Sequence, residues 1–175
     1  MTKKLQLAGA AMCVLLAASL AACNQAQTAK PAVDAGKIAD AIKADATQRI
    51  ADVNAHDAAK VVAHDAGDAV SMRHGRPNAV GSDAIEAAFK QTIVNEPDLH
   101  VVLSDPTVDV AASGDMAVLR STTTSTYTDL KTKKPVTTTS NSLLGYKLQP
   151  DGSWKVEWSV LSDVAPADGA AGTKG

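Results

Sequence analysis

Cysteine is nearly missing from this chain: Cys13 and Cys23 are the only two among its 175 residues. Cys13 lies in an apolar leader, so a folded part downstream has no second thiol, which excludes an internal disulfide and a thiolate metal site. Aromatic residues are as scarce. Phe89, Tyr127, Tyr146, Trp154 and Trp158 are all there are, so Ala, Val, Leu and Ile must do most of the packing. A basic stripe is also lacking, with 17 Lys and Arg against 19 Asp and Glu. Phosphate backbones need clustered cations, so nucleic acid is excluded as a partner. The one local cluster, Lys131, Lys133 and Lys134, reads as a solvated hairpin loop. No Gly-rich phosphate loop, no Ser-His-Asp ordering and no metal-ligand spacing is present, so no cofactor is expected.

What is present begins at the amino terminus. Lys3 and Lys4 open the chain, Leu5 to Ala22 run apolar without a charge, and Leu20-Ala21-Ala22-Cys23 closes the run. A charged start, an apolar middle and small residues before a cut site make a secretory signal, residues 1–22. The closing tetrad resembles the lipobox of bacterial lipoproteins. That resemblance implies cleavage before Cys23, a diacylglyceryl group on its thiol and acylation of its new amino terminus, an anchor of several chains that holds stably. Asn24, where an Asp often retains such proteins at the inner membrane, implies the outer membrane, facing the periplasm. Loss of Lys3 and Lys4 leaves 15 basic against 19 acidic residues, a net charge of about −4.

Residues 23–32 read as a lipidated tether and 166–175, rich in Gly and Ala, as a disordered tail. The segment 33–165 is long enough for one domain with a real core. Ile38, Ile42, Ala46, Ile50 and Val53 recur at steps of four, four, four and three, one face of a long helix, with Asp45 and Arg49 as a favourable pair on it. Asp57 is placed to cap a short second helix that Gly67 helps to end. Ala69 to Met72 reads as a short strand. Asp83 and Glu86 give a capping-box pattern for a third helix, with Ile85, Ala88, Phe89, Thr92 and Ile93 facing inward and Pro97 as its stop. From Leu99 the period becomes two, predicting strands near 99–111, 116–128, 136–148 and 153–162. The fold class is α+β: a cone-shaped, curved antiparallel sheet wrapped around a long N-terminal helix and two shorter helices.

Three stretches carry a family resemblance: His64-Asp65-Ala66-Gly67-Asp68-Ala69-Val70, Val80-Gly81-Ser82-Asp83-Ala84-Ile85, and Asp151-Gly152-Ser153-Trp154-Lys155-Val156. In order and spacing they resemble the SnoaL-like, ketosteroid-isomerase-like domains of the nuclear-transport-factor-2-like fold. The resemblance implies a conical pocket between sheet and helices and a homodimer through the sheet. It implies no activity, because the family includes isomerases, cyclases and dehydratases beside members without known catalysis. Isomerase chemistry of that kind needs a carboxylate base on the first strand, and the alignment puts Arg73 there, between Met72 and His74. Arginine is no base at neutral pH. The position five residues after Trp154, often an Asp in relatives, is Ser159.

Candidate pocket residues are His74, Arg120, Tyr127, Asn141 and Trp158. His74 has the acid–base range for catalysis, against the alternative of an exposed turn histidine. Arg120 follows Met116 and Val118 on an apparent core face, as an anion hook or in a rim salt bridge, for example to Glu157. Tyr127 is a packing residue or a donor, and Asn141 a polar group in the cone. Trp154, Val156, Trp158 and Val160 alternate as an inward apolar set. His56 and His64, each followed by Asp, read as exposed helix-end residues. Hydroxyls crowd 121–126 and 137–142, a solvated face or a contact surface. Two function classes stay open: a non-catalytic envelope lipoprotein binding a small hydrophobic or anionic ligand or a partner, and an acid–base enzyme of isomerase, dehydratase or cyclase type.

Overall fold

A computed structural model describes residues 32–165. The signal segment, Cys23, most of the tether and the tail 166–175 lie outside the described residues. Helix α1 (Ala35–Asn54) forms on the four-residue apolar spacing, and the Asp34 carboxylate caps it by accepting from the Lys37 N–H. After a turn in which His56 takes a positive φ of 56°, Asp57 caps α2 (Ala58–Ala63) in the same way, through Lys60. Gly67 does not end α2. The helix stops at His64, and strand β1 (Asp65–Arg73) already contains Gly67, beginning four residues before the expected Ala69. Asp65 is drawn into the strand by pairing with Val156, ahead of a register irregularity that runs to Val70.

A two-residue strand, β2 (Ala79–Val80), folds back on β1. Helix α3 (Ser82–Asn95) starts from Gly81, whose φ of 84° suits glycine. Asp83 therefore lies in the first turn rather than at the cap, where its charge still complements the positive helix end. The strands β3 (His100–Val110), β4 (Met116–Thr128), β5 (Pro135–Leu148) and β6 (Trp154–Asp163) follow as an antiparallel meander. The sheet order is β2-β1-β6-β5-β4-β3. Helix α3 carries the chain from β1 to the far end of the sheet, and the meander walks back until β6 lies parallel to β1. That one parallel pair departs from the all-antiparallel expectation.

Ile42 and Ala46 of α1 pack on Ala117, Leu119, Leu144, Tyr146 and Val156, the inner face of the sheet. Smaller clusters join α2 to α3 through Val61 and Phe89, and α3 to β1 through Ala69 and Ile85. Among the described residues every core cluster falls within one compact unit that begins at Val33. At its carboxyl end α1 is pinned to the chain entering β3. The Asn54 side chain donates to Val101 O at 2.9 Å and accepts from Val101 N at 2.7 Å, and His56 Nε2 meets Leu99 O at 2.9 Å.

Three charges on α1, those of Asp45, Arg49 and Asp52, turn into the fold. Arg49 does not pair with Asp45 one turn away but with buried Asp65. Asp45 instead faces His64 Nδ1 at 2.7 Å and accepts from the Tyr146 hydroxyl at 3.0 Å, while His64 Nε2 meets Asp52 at 3.0 Å. His64 is therefore held between two carboxylates, not exposed at a helix end. The His64 hydrogen bond holds the Asp52 carboxyl below its ordinary range, and burial pushes the Tyr146 hydroxyl up.

Candidate functional site

A cavity of about 190 Å³ opens between α1, α3 and the inner face of the sheet. Its walls are built by the two helix faces legible in the sequence. Ile50 and Val53 come from α1, and Ile85, Phe89 and Thr92 from α3. Alternation decides the floor. On β4 the inward residues are Ala117, Leu119, Thr123 and Ser125, and on β5 they are Ser142, Leu144 and Tyr146, so small hydroxyl-bearing side chains leave the space that bulky ones would fill.

A bulge on β6 shapes the rest. Gly145 pairs with Trp158 and Tyr146 with Val156, leaving Glu157 as an extra residue. Alternation therefore slips: Val156 faces the core, while Ser159 and Leu161, not Trp158 and Val160, face the cavity. Trp158 lies on the opposite face, its indole across Gly145, where a Cβ would stand 2.1 Å from the ring.

None of the five candidate pocket residues lines this cavity. His74 is exposed in the turn after β1. Arg120 is on the outer face, exposed, and its Nε donates to Asp109 at 3.0 Å; Glu157 pairs instead with Lys147. The even residues of β4, Met116 and Val118 among them, are the outer set, so the inward set begins one residue later. Asn141 has the parity opposite to Ser142 and is exposed. Tyr127 shares the parity of Ser125 but lies outside the lining, its hydroxyl pushed up by burial and by the Glu96 charge. Trp158 is placed outward by the bulge.

The charged groups that do line the cavity are Arg49, Arg73, Arg76 and Glu96. Arg49 is committed to Asp65. Arg73, on the last residue of β1, points inward in register with Leu161. Burial, then the Arg76 and Arg49 charges, lowers its guanidinium from the ordinary value, though arginine stays charged at neutral pH. Glu96, which caps the carboxyl end of α3, has its carboxyl raised by burial, with Arg76 and Arg73 opposing. In the sequence Arg73 stands only as a missing base, and no motif or period singles out Arg76 or Glu96. The available signals were the inward parity of Arg73 with Ser71 and an ionisable residue at the helix stop before Pro97. Among the described residues no group of three or more His, Cys, Asp or Glu side chains is placed to hold a metal ion.

An α+β domain whose helices close one face of a curved sheet over a cavity is the nuclear-transport-factor-2-like architecture. Residues 46–155 match the model of the SnoaL-like domain, and the chain belongs to that family. Solved structures agree on the fold. A ketosteroid isomerase-like protein from Erwinia carotovora atroseptica is 26% identical, covering 73% of this chain and 96% of that one, with a TM-score of 0.62. A putative calcium/calmodulin dependent protein kinase II association domain from Xanthomonas campestris is 21% identical over 72% of this chain and 87% of that one, with a TM-score of 0.62. A putative scytalone dehydratase from Novosphingobium aromaticivorans is 16% identical over 72% and 83%, with a TM-score of 0.65. No curated protein sequence matches.

Proposed function

We propose that this SnoaL-like domain is a non-catalytic binder of a small ligand, displayed on a lipid anchor at the cell envelope. The cavity carries the reading: it is roofed by apolar helix faces, and an arginine occupies the strand position where isomerase chemistry needs a carboxylate. The domain, residues 33–175, would be purified under native conditions and extracted for mass spectrometry. A small organic molecule that co-purifies and stays unaltered on incubation is the expected result; its conversion to product would overturn the reading. Ser142→Leu places an apolar side chain on the cavity floor without breaking a protein hydrogen bond. It is expected to raise the thermal midpoint by a few degrees and to remove the ligand.

One observation favours the second reading, an acid–base enzyme. Glu96 is a cavity carboxyl with its pKa raised by burial, the property of a tuned general base. Turnover by the purified domain that disappears in Glu96→Gln would establish it.

The anchor reading rests on Leu20-Ala21-Ala22-Cys23. Cys23→Ala is expected to move the protein from the membrane to the soluble envelope fraction; an unchanged membrane fraction would refute lipidation there. For the partner, the outer sheet face supports a second copy of this chain. The paired rows Val118–Gly145–Trp158–Val70 and Leu143–Val160–Met72 form an apolar stripe of half-buried side chains, which two-fold symmetry could pair with itself.

A further inference from the structure

We propose that the cavity takes a small amphiphilic monoanion, a monocarboxylate on a single ring or short alkyl body, with Arg73 as its counter-ion. This rests on the ligand-binding reading above and specifies the ligand's chemistry.

The argument begins with charge. Of the four charged residues lining the cavity, Arg49 is neutralised by Asp65. That leaves two cations, Arg73 and Arg76, against one carboxylate, Glu96. Among the described residues the Arg73 side chain makes no hydrogen bond or ion pair, and Glu96 acts on it only through space. Arg73 is half-buried and lines the cavity without a protein partner, so its fork is open to an anion that enters. The site is short of one negative charge. A carboxylate supplies one charge and two parallel acceptors that match the guanidinium fork. A phosphomonoester carries nearly two at neutral pH, more than the site leaves uncompensated.

Hydroxyls come next. Across the strands Arg73 lies in one row with Leu161, Ser142 and Ser121, and Ser71 pairs with Ser159 in the adjacent inward row. Ser71, Ser142 and Ser159 line the cavity and make no side-chain hydrogen bond among the described residues, so donors remain for the ligand's polar end. The opposite walls are mainly apolar, with Val53, Phe89, Leu103 and Leu144, and the hydroxyls of Thr92 and Thr123 among them already donate to Ala88 O and Ser140 O. Size sets the body. An apolar cavity of about 150 Å³ holds benzene. The 190 Å³ here therefore suits one ring or a short chain bearing a carboxylate.

Calorimetric titration of residues 33–175 with benzoate and hexanoate tests this against benzyl alcohol, hexanol, benzylamine and phenyl phosphate. The carboxylates are expected to bind at least about tenfold more tightly than the matching alcohols and the phosphate, with no measurable binding of the amine. Arg73→Gln is expected to weaken carboxylate binding about tenfold while leaving the alcohols within about twofold. Alcohols binding as well as acids, or phenyl phosphate binding best, would overturn the monocarboxylate and leave the ligand-binding reading standing. Binding by neither series would sink both. Should Arg73→Gln not fold, the wild-type protein still decides: the Arg73 Nε–H resonance must shift on adding benzoate, and a resonance that stays put refutes the contact.

Discussion

Arg49→Met is expected to destabilise the domain by about 3–5 kcal/mol at neutral pH, the range for removing one partner of a buried ion pair. Its partner Asp65 has a side chain only 2% exposed, and one of its carboxylate oxygens has no other hydrogen bond. Burial already raises the Asp65 carboxyl despite Arg49 beside it, so desolvation outweighs the ion pair even in the native protein. Without Arg49 the shift grows. A carboxyl raised in the folded state favours folding below its unfolded value of 3.8 and loses that contribution as pH rises through the folded value. The deficit of the variant should therefore shrink as the pH is lowered from 7 towards 4. Urea melts at the two ends of that range measure it, and a deficit that does not change with pH would contradict the assignment. Pairing the change with Asp65→Asn removes the stranded charge and is expected to recover most of the loss at pH 7.

Gly145→Val should cost about 3 kcal/mol, the upper end for overpacking. Even the first carbon of a side chain at 145 would sit 2.1, 2.4 and 2.5 Å from three atoms of the Trp158 indole. The backbone there is fixed on both sides, with Leu144 and Tyr146 buried in the inner face, so the ring must leave. Trp158 then swings off the outer apolar stripe, and the self-association proposed through that stripe should fall with the thermal midpoint. Denaturant melts read the first effect and sedimentation the second. Gly145→Val in company with Trp158→Ala relieves the clash and should regain part of the stability without restoring the stripe.

The sheet and helices were largely legible in the sequence because their periodicities are strong. The spacing from Ile38 to Val53 and from Ile85 to Ile93 identified both cavity-facing helix sides, and β4 occupies the span expected from its hydroxyl and valine run. The site was not legible, for one recurring physical reason: strand period is two, so an error of one residue exchanges the faces. On β6 the pattern Trp154, Val156, Trp158, Val160 looks continuous, but Glu157 bulges and reverses the last two. On β4 the outward row Met116, Val118 is more apolar than the inward Thr123 and Ser125, because a cavity floor needs short side chains and the outer face does not. The apparent core face was the outer one, and Arg120 went with it. Arg73 stands at the position of a missing base, and that absence says nothing by itself about what a half-buried cation attracts.

The hold of α1 on the start of β3 guards an exposed edge of the sheet. β3 ends the sheet, and an end strand offers unpaired N–H and C=O groups that invite strand addition and fibre growth. The carboxamide of Asn54 has the donor and acceptor of a peptide unit, and it spends both on Val101 where the next strand would bond. His56 occupies Leu99 O beside it, and further along the ladder breaks between Ser104 and Thr107, where Asp105 takes a positive φ before Pro106. At the other end β2 offers two residues only. Both edges are thus blunted against templated polymerisation, and growth in the plane of the sheet is closed.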